Sequence, residues 1–199
     1  MTAVTADMVK QLRAGTGAGI MDCKEALSQS QGDFEKAVEF LRKKGVAVAK
    51  KRAGRSTSEG AVCAYIHTGE KIGVLLEVNC ETDFVAKTDD FREFAKNMAM
   101  QIAATNPLGI VPGDVPAETI EKEKAIYRAQ ALETGKPDKI VEKIADGKLT
   151  KFLKENCLLS QPYVRDADKT VEDVLTEIIG KTGERITIRR FVRYQVGEA

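Results

Sequence analysis

The sequence predicts an α+β chain: a short all-helical region, then a small antiparallel three-stranded sheet packed with helices. Three observations carry this reading. Apolar residues recur at helical spacing up to residue 45. Between residues 60 and 78 the pattern switches to alternation on both sides of a Gly-containing turn, the signature of a β-hairpin. A third alternating run closes the chain at 185–196, after a long stretch of helical periodicity.

Thr5 is placed to cap a first helix carrying Met8, Val9 and Leu12, with Gly15 just past its end. Thr16 caps a second helix, with Ile20, Cys23 and Leu27 on its apolar face, that runs to a break at 29–32. Asp33 caps a third, with Phe34, Ala37, Val38 and Leu41 inward and Gly45 as its stop. The three stripes close a miniature core, of marginal stability by itself. Residues 42–55 then hold seven basic side chains and no acidic one, while the whole chain has a net charge of +1. They read as a linker beginning near Gly45. It is either a solvated hinge or a contact for RNA or an acidic partner. No aromatic residue is interleaved for base stacking.

In the hairpin, Val62, Ala64 and Ile66 alternate with Cys63, Tyr65 and His67. The turn at 68–71 leads into Ile72, Val74, Leu76 and Val78. The last strand carries Ile186, Ile188, Val192, Tyr194 and Val196, and Phe191 breaks its alternation as a bulge would. Thr88 caps a helix whose first turn holds Asp89 and Asp90, favourable at the positive end of the helix dipole. Its stripe is Phe91, Phe94, Met98 and Ile102, closed by Pro107. Pro116 opens a charged helix to Gly135, and Pro137 opens another that Gly147 stops. A shorter helix follows through Cys157, then a loop at 158–168. Thr170 and Asp173 resemble a capping box before a final helix. One sheet face should rest on the helices of 88–182, leaving Tyr65, Leu75 and Phe191 on the other.

The 199 residues are 43% hydrophobic and 31% charged, the composition of a folded chain. Near-neutral charge disfavours a strongly basic nucleic-acid binder. No apolar run approaches the ~20 residues of a membrane span, and the N-terminal residues lack signal-peptide features. His67 is the one histidine, so a Ser-His-Asp or Cys-His centre would have to run through it, and multi-histidine metal sites are excluded. Cys23, Cys63, Cys80 and Cys157 form no C-x-x-C pair, which predicts free thiols in a reducing compartment. The glycines at 15, 17 and 19 follow a helix and lack the G-K-[ST] ending of a phosphate loop. Asp83, Asp89 and Asp90 cluster near Glu81 without the ligand spacing of an EF-hand. No metal or cofactor is expected. Phe84, in Thr82-Asp83-Phe84-Val85, is either a core anchor or an exposed hot spot.

Three stretches together resemble one family, bacterial-type elongation factor Ts. They are the run from Val9 to Leu27, the run from Glu77 to Lys87, and Leu158-Leu-Ser-Gln-Pro-Tyr-Val164 with Arg189-Arg-Phe-Val-Arg193. The resemblance is to the short form, without room for the second core subdomain or coiled-coil insertion of longer members. It implies a ubiquitin-associated-like three-helix domain with its basic linker at 1–54. An α+β core and dimerisation domain would follow at 55–199. It implies a guanine-nucleotide exchange factor, not an enzyme, that promotes GDP release from the GTPase elongation factor Tu by displacing Mg²⁺ and phosphate contacts. Thr82, Asp83, Phe84 and Val85 would be the intruding element, with Lys10, Arg13 and Met21 as weaker contacts. A homodimer is expected, with no membrane and no stable nucleic-acid binding. The setting would be a bacterial cytoplasm, an organelle being the alternative. Two other functions compete: an RNA-binding module using 42–55 and the Arg-rich last strand, and a small hydrolase using Cys80 or His67.

Overall fold

A computed structural model describes residues 4–198. The chain is α+β. It divides into two compact units, each built from separated stretches. The first comprises Met1–Val62, Glu77–Ala95 and Asp173–Arg189; the second comprises Cys63–Leu76, Lys96–Glu172 and Arg190–Ala199.

The first unit begins with helices α1 (Ala6–Thr16), α2 (Ile20–Gln29) and α3 (Phe34–Arg52). Thr5 and Asp33 accept from Met8 N and Lys36 N, as caps should. Gly17 ends α1 at φ +67°, its N–H reaching Arg13 O at 2.7 Å. Val9, Leu12, Cys23, Ala26, Leu27 and Ala37 form the buried cluster. Ile20 and Val38, read as inward, are instead exposed, because three helices this short enclose only a narrow apolar seam. Helix α3 also runs on through Gly45 to Arg52, where the sequence reading placed a linker. The glycine there makes room for a neighbour. A Cβ at Gly180, in helix α8 (Val171–Thr182), would lie 3.2 Å from the Gly45 Cα.

Strands β1 (Glu59–Ile66), β2 (Ile72–Cys80) and β5 (Thr187–Gln195) form the three-stranded sheet, in the order β1-β2-β5. Gly60 sits at φ +149°, where a Cβ would fall 2.2 Å from Val78 O, so only glycine fits. In β2, Val74, Leu76, Val78 and Cys80 are buried and Leu75 is exposed. His67 N–H bonds Ile72 O and Val196 N–H bonds Lys71 O, both at 2.9 Å. Counted from these bonds, Ile66 lies opposite Gly73, Val192 opposite Leu75, and Phe191 opposite the buried Leu76. Ile66, Leu75, Val192 and Tyr194 therefore share the open face. Tyr65 and Phe191, expected there, are half-buried and belong to the other face. Two consecutive exposed residues, Arg189 and Arg190, shift the burial phase as a bulge does.

Helix α5 (Asp89–Thr105) buries Phe91, Phe94, Met98 and Ile102 as predicted, and Thr88 accepts from Phe91 N. Helices α6 (Ala117–Leu132) and α7 (Asp138–Asn156) pack on each other as a hairpin, with Lys124–Asp146 and Arg128–Glu142 bridges of 2.7 Å. This corrects one expectation: Gly147 does not stop α7. One exposed glycine costs only about 1 kcal/mol against a helix held by packing.

Residues 158–168 are not a plain loop. A 3-10 turn (Leu158–Ser160) leads into a small antiparallel pair, β3 (Pro162–Tyr163) and β4 (Asp166–Thr170). Two buried glutamines order it. Gln101 Nε2 donates to Gln161 Oε1 and Pro162 O, and Val164 N–H donates to Gln101 Oε1 at 2.8 Å. No helix among the described residues is long and apolar enough to cross a membrane.

Candidate functional site

The segment after β2 turns sharply. Cys80, at its end, is buried, and its thiol donates to Thr82 O at 3.1 Å. Thr82 takes extended backbone and caps a single helical turn, α4 (Asp83–Ala86), its hydroxyl accepting from Val85 N–H. Thr88 closes that turn by donating to Val85 O at 2.7 Å. Within this frame Val85 is half-buried, while Phe84 is 79% exposed. Of the two sequence readings for Phe84, the core anchor is excluded, because the ring is exposed. An aromatic ring left in water on a capped turn is a surface that gains by being covered. Asp83 pairs with Lys87 at 2.6 Å, one helical turn on, and that ammonium holds the Asp83 carboxyl below its ordinary range.

The turn is anchored by Glu81, by arginines of the basic stretch and by one side chain the sequence reading passed over, Glu184. Glu81 Oε1 accepts from Arg185 N–H at 2.7 Å, and its carboxylate also meets Arg52 and Arg55. The Arg185 amide first, and then the arginines, hold the Glu81 carboxyl below its usual value despite partial burial. Glu184 accepts from both the amide and the hydroxyl of Thr82. The Arg185 guanidinium also donates to Arg55 O. Glu184 carries no local sequence signal, since it lies 102 residues from Thr82.

These pairings redefine the acidic cluster and the basic stretch. Glu81, Asp83 and Asp90 point to different cations, Asp90 to Lys181 at 2.5 Å. In 42–55, Arg42 meets Asp173, Lys43 meets Glu39, Lys44 meets Asp22 and Glu25, and Arg52 and Arg55 meet Glu81. Five of the seven cations are thus engaged with carboxylates, which removes much of the phosphate attraction an RNA contact would need.

Lys10 and Arg13 are exposed on α1, and Met21 is 72% exposed at the start of α2 beside an exposed Ile20. Ile20 extends that apolar spot, and its sequence signal was ambiguous because it also fits the helix stripe. His67 is exposed and its Nδ1 lies 3.0 Å from Tyr65 Oη. Burial, and then the Glu184 charge, push the Cys80 thiol up to about 11, which suits a structural donor and not a nucleophile. All four cysteines are free.

The family model described as Elongation factor TS matches residues 3–198. The chain is 62% identical over 198 residues to an elongation factor Ts of Desulfosudis oleivorans, covering 100% of both chains. It is 61% identical over 195 residues to one from Moorella thermoacetica, covering 98% of this chain and 96% of that one. A protein of the same name from Syntrophobacter fumaroxidans is 60% identical over 194 residues. With a match along nearly its whole length and about 60% identity to these relatives, the chain belongs to the elongation factor Ts family of translation elongation factors.

Proposed function

We propose that this protein is a guanine-nucleotide exchange factor that binds elongation factor Tu and accelerates GDP release, without catalytic chemistry of its own. The observation that carries the reading is the exposed Phe84 on an anchored turn, in the Thr82-Asp83-Phe84-Val85 motif that carries the family resemblance. A GTPase holds GDP through a phosphate-cradling loop, Mg²⁺ and base contacts. A factor that binds the nucleotide-free form more tightly than the GDP form must, by linkage, lower nucleotide affinity by the same factor. Covering the Phe84 ring supplies apolar energy, roughly 1.5–3 kcal/mol for a fully buried side chain. Asp83 supplies an acceptor for groups that Phe84 displaces. The Mg²⁺ and phosphate contacts then distort, GDP leaves and GTP reloads. Lys10, Arg13 and Met21 add a second contact from α1 and α2. We hold the domain boundary at 1–54 and 55–199 on the same reading.

The open sheet face of Ile66, Leu75, Val192 and Tyr194 supports a homodimer. A twofold copy is a self-complementary cover for an apolar patch of this kind. The function is tested by release of labelled GDP from purified elongation factor Tu. Substoichiometric protein should accelerate release and should not hydrolyse GTP alone. Unchanged release at saturating protein would overturn the reading.

A further inference from the structure

Two adjacent residue pairs, Glu81-Thr82 and Glu184-Arg185, exchange contacts symmetrically. Each glutamate accepts the amide of the other pair's second residue: Glu184 Oε2 from Thr82 N–H at 3.0 Å, Glu81 Oε1 from Arg185 N–H at 2.7 Å. Glu184 Oε1 also accepts a hydrogen bond from the Thr82 hydroxyl at 2.7 Å. That leaves the lone pairs of Thr82 Oγ1 for Val85 N–H, the side-chain cap of α4. A four-residue helix does not hold itself, because the first turn fixes several residues for very few hydrogen bonds. Nor does Phe84 hold it, since the ring makes little contact with the rest of the chain. Thr88 closes its far end through Val85 O, and Thr82 anchors its entry point.

We propose that Glu184 is a positioning residue: through Thr82 it fixes the α4 turn so that Phe84 and Asp83 are presented preformed to the partner. Glu81 returns the grip on residue 185, and Arg52 and Arg55 hold Glu81. The proposal rests on the reading of α4 as the intruding element. Preorganisation matters here because a turn that must order on contact loses binding energy to that ordering.

The test uses the full chain with Glu184→Ala and Glu184→Gln, the latter keeping one acceptor oxygen. In the free protein, amide hydrogen exchange at Thr82 and Val85 should rise roughly tenfold in Glu184→Ala, the scale of a lost charge-assisted hydrogen bond. In GDP release, the half-saturating concentration should rise by a similar factor with the maximal rate retained. Glu184→Gln should fall between. Adding Glu184→Ala to Phe84→Ala should cost little more than Phe84→Ala alone, because both act through one element. Unchanged protection of Thr82 and Val85, or full additivity with Phe84→Ala, would overturn the proposal. If Glu184→Ala fails to fold, Glu184→Gln carries the same comparisons. If wild-type protein does not release GDP, the exchange reading fails, and the amide data still decide whether Glu184 orders the turn.

Discussion

At the scale of the residue, Phe84 and Glu81 occupy neighbouring positions with opposite roles. Phe84 is exposed, so Phe84→Ala removes almost no folded-state packing. Its thermal unfolding should stay within about 0.5 kcal/mol of wild type, while binding or exchange activation loses roughly 2–4 kcal/mol. A large fall in melting temperature would return the residue to the core. Glu81 carries a pH prediction. Its folded carboxyl titrates below the ordinary value of 4.5, so its contribution is fully present above that pH and is lost as pH falls through the folded value. The difference in melting temperature between wild type and Glu81→Gln should therefore be largest near neutrality and shrink below about pH 4.5. A gap that does not change between pH 7 and 3 would remove the titrating carboxylate as its cause. Cys80, which sequence alone could take for chemistry, donates to Thr82 O, and Glu184 accepts from the Thr82 amide.

At the scale of the element, two glycines separate backbone need from mere tolerance. Gly60 lies where a Cβ would collide with Val78 O and where φ is +149°. Gly60→Ala should destabilise by more than the ~1–3 kcal/mol of ordinary overpacking, read as a fall in denaturant midpoint. Gly147 lies inside α7 with nothing within 4 Å of a built Cβ. Gly147→Ala should stabilise by about 0.4–1 kcal/mol, through helix propensity and a less flexible unfolded chain. If α7 were broken at Gly147, that gain would be absent. The contrast explains why a glycine is a poor stop signal when read without its neighbours. At Gly45 it marks an approach to Gly180, at Gly147 nothing more than tolerance.

At the scale of the whole molecule, the open sheet face carries the oligomer prediction. Tyr194 is 70% exposed and Leu75 48%, on the face shared with Ile66 and Val192. Sedimentation equilibrium at micromolar concentration should give a mass above the 21.7 kDa of one chain. Tyr194→Asp should return it to the monomer by placing an unpaired charge in the contact. A mass of 21.7 kDa at every concentration would exclude the dimer. Phe191 is the wrong probe, because it lies opposite the buried Leu76, on the packed side of the sheet.

The sequence by itself determined the elements with strong local signals: α1 and α3 with their N-caps Thr5 and Asp33, the β1–β2 hairpin and the apolar stripe of α5. Each rests on residues within a few positions of one another, where periodicity, caps and turn chemistry act directly. Only the tertiary structure decided that Phe84 faces water, that α3 continues past Gly45, and that Gln101 and Gln161 turn a polar stretch into ordered structure. The same holds for the anchoring of α4, which depends on Glu184 and Arg185. Burial and hydrogen-bond satisfaction are properties of neighbours in space. A carboxylate that grips an amide across a hundred positions leaves no trace in the residues around it.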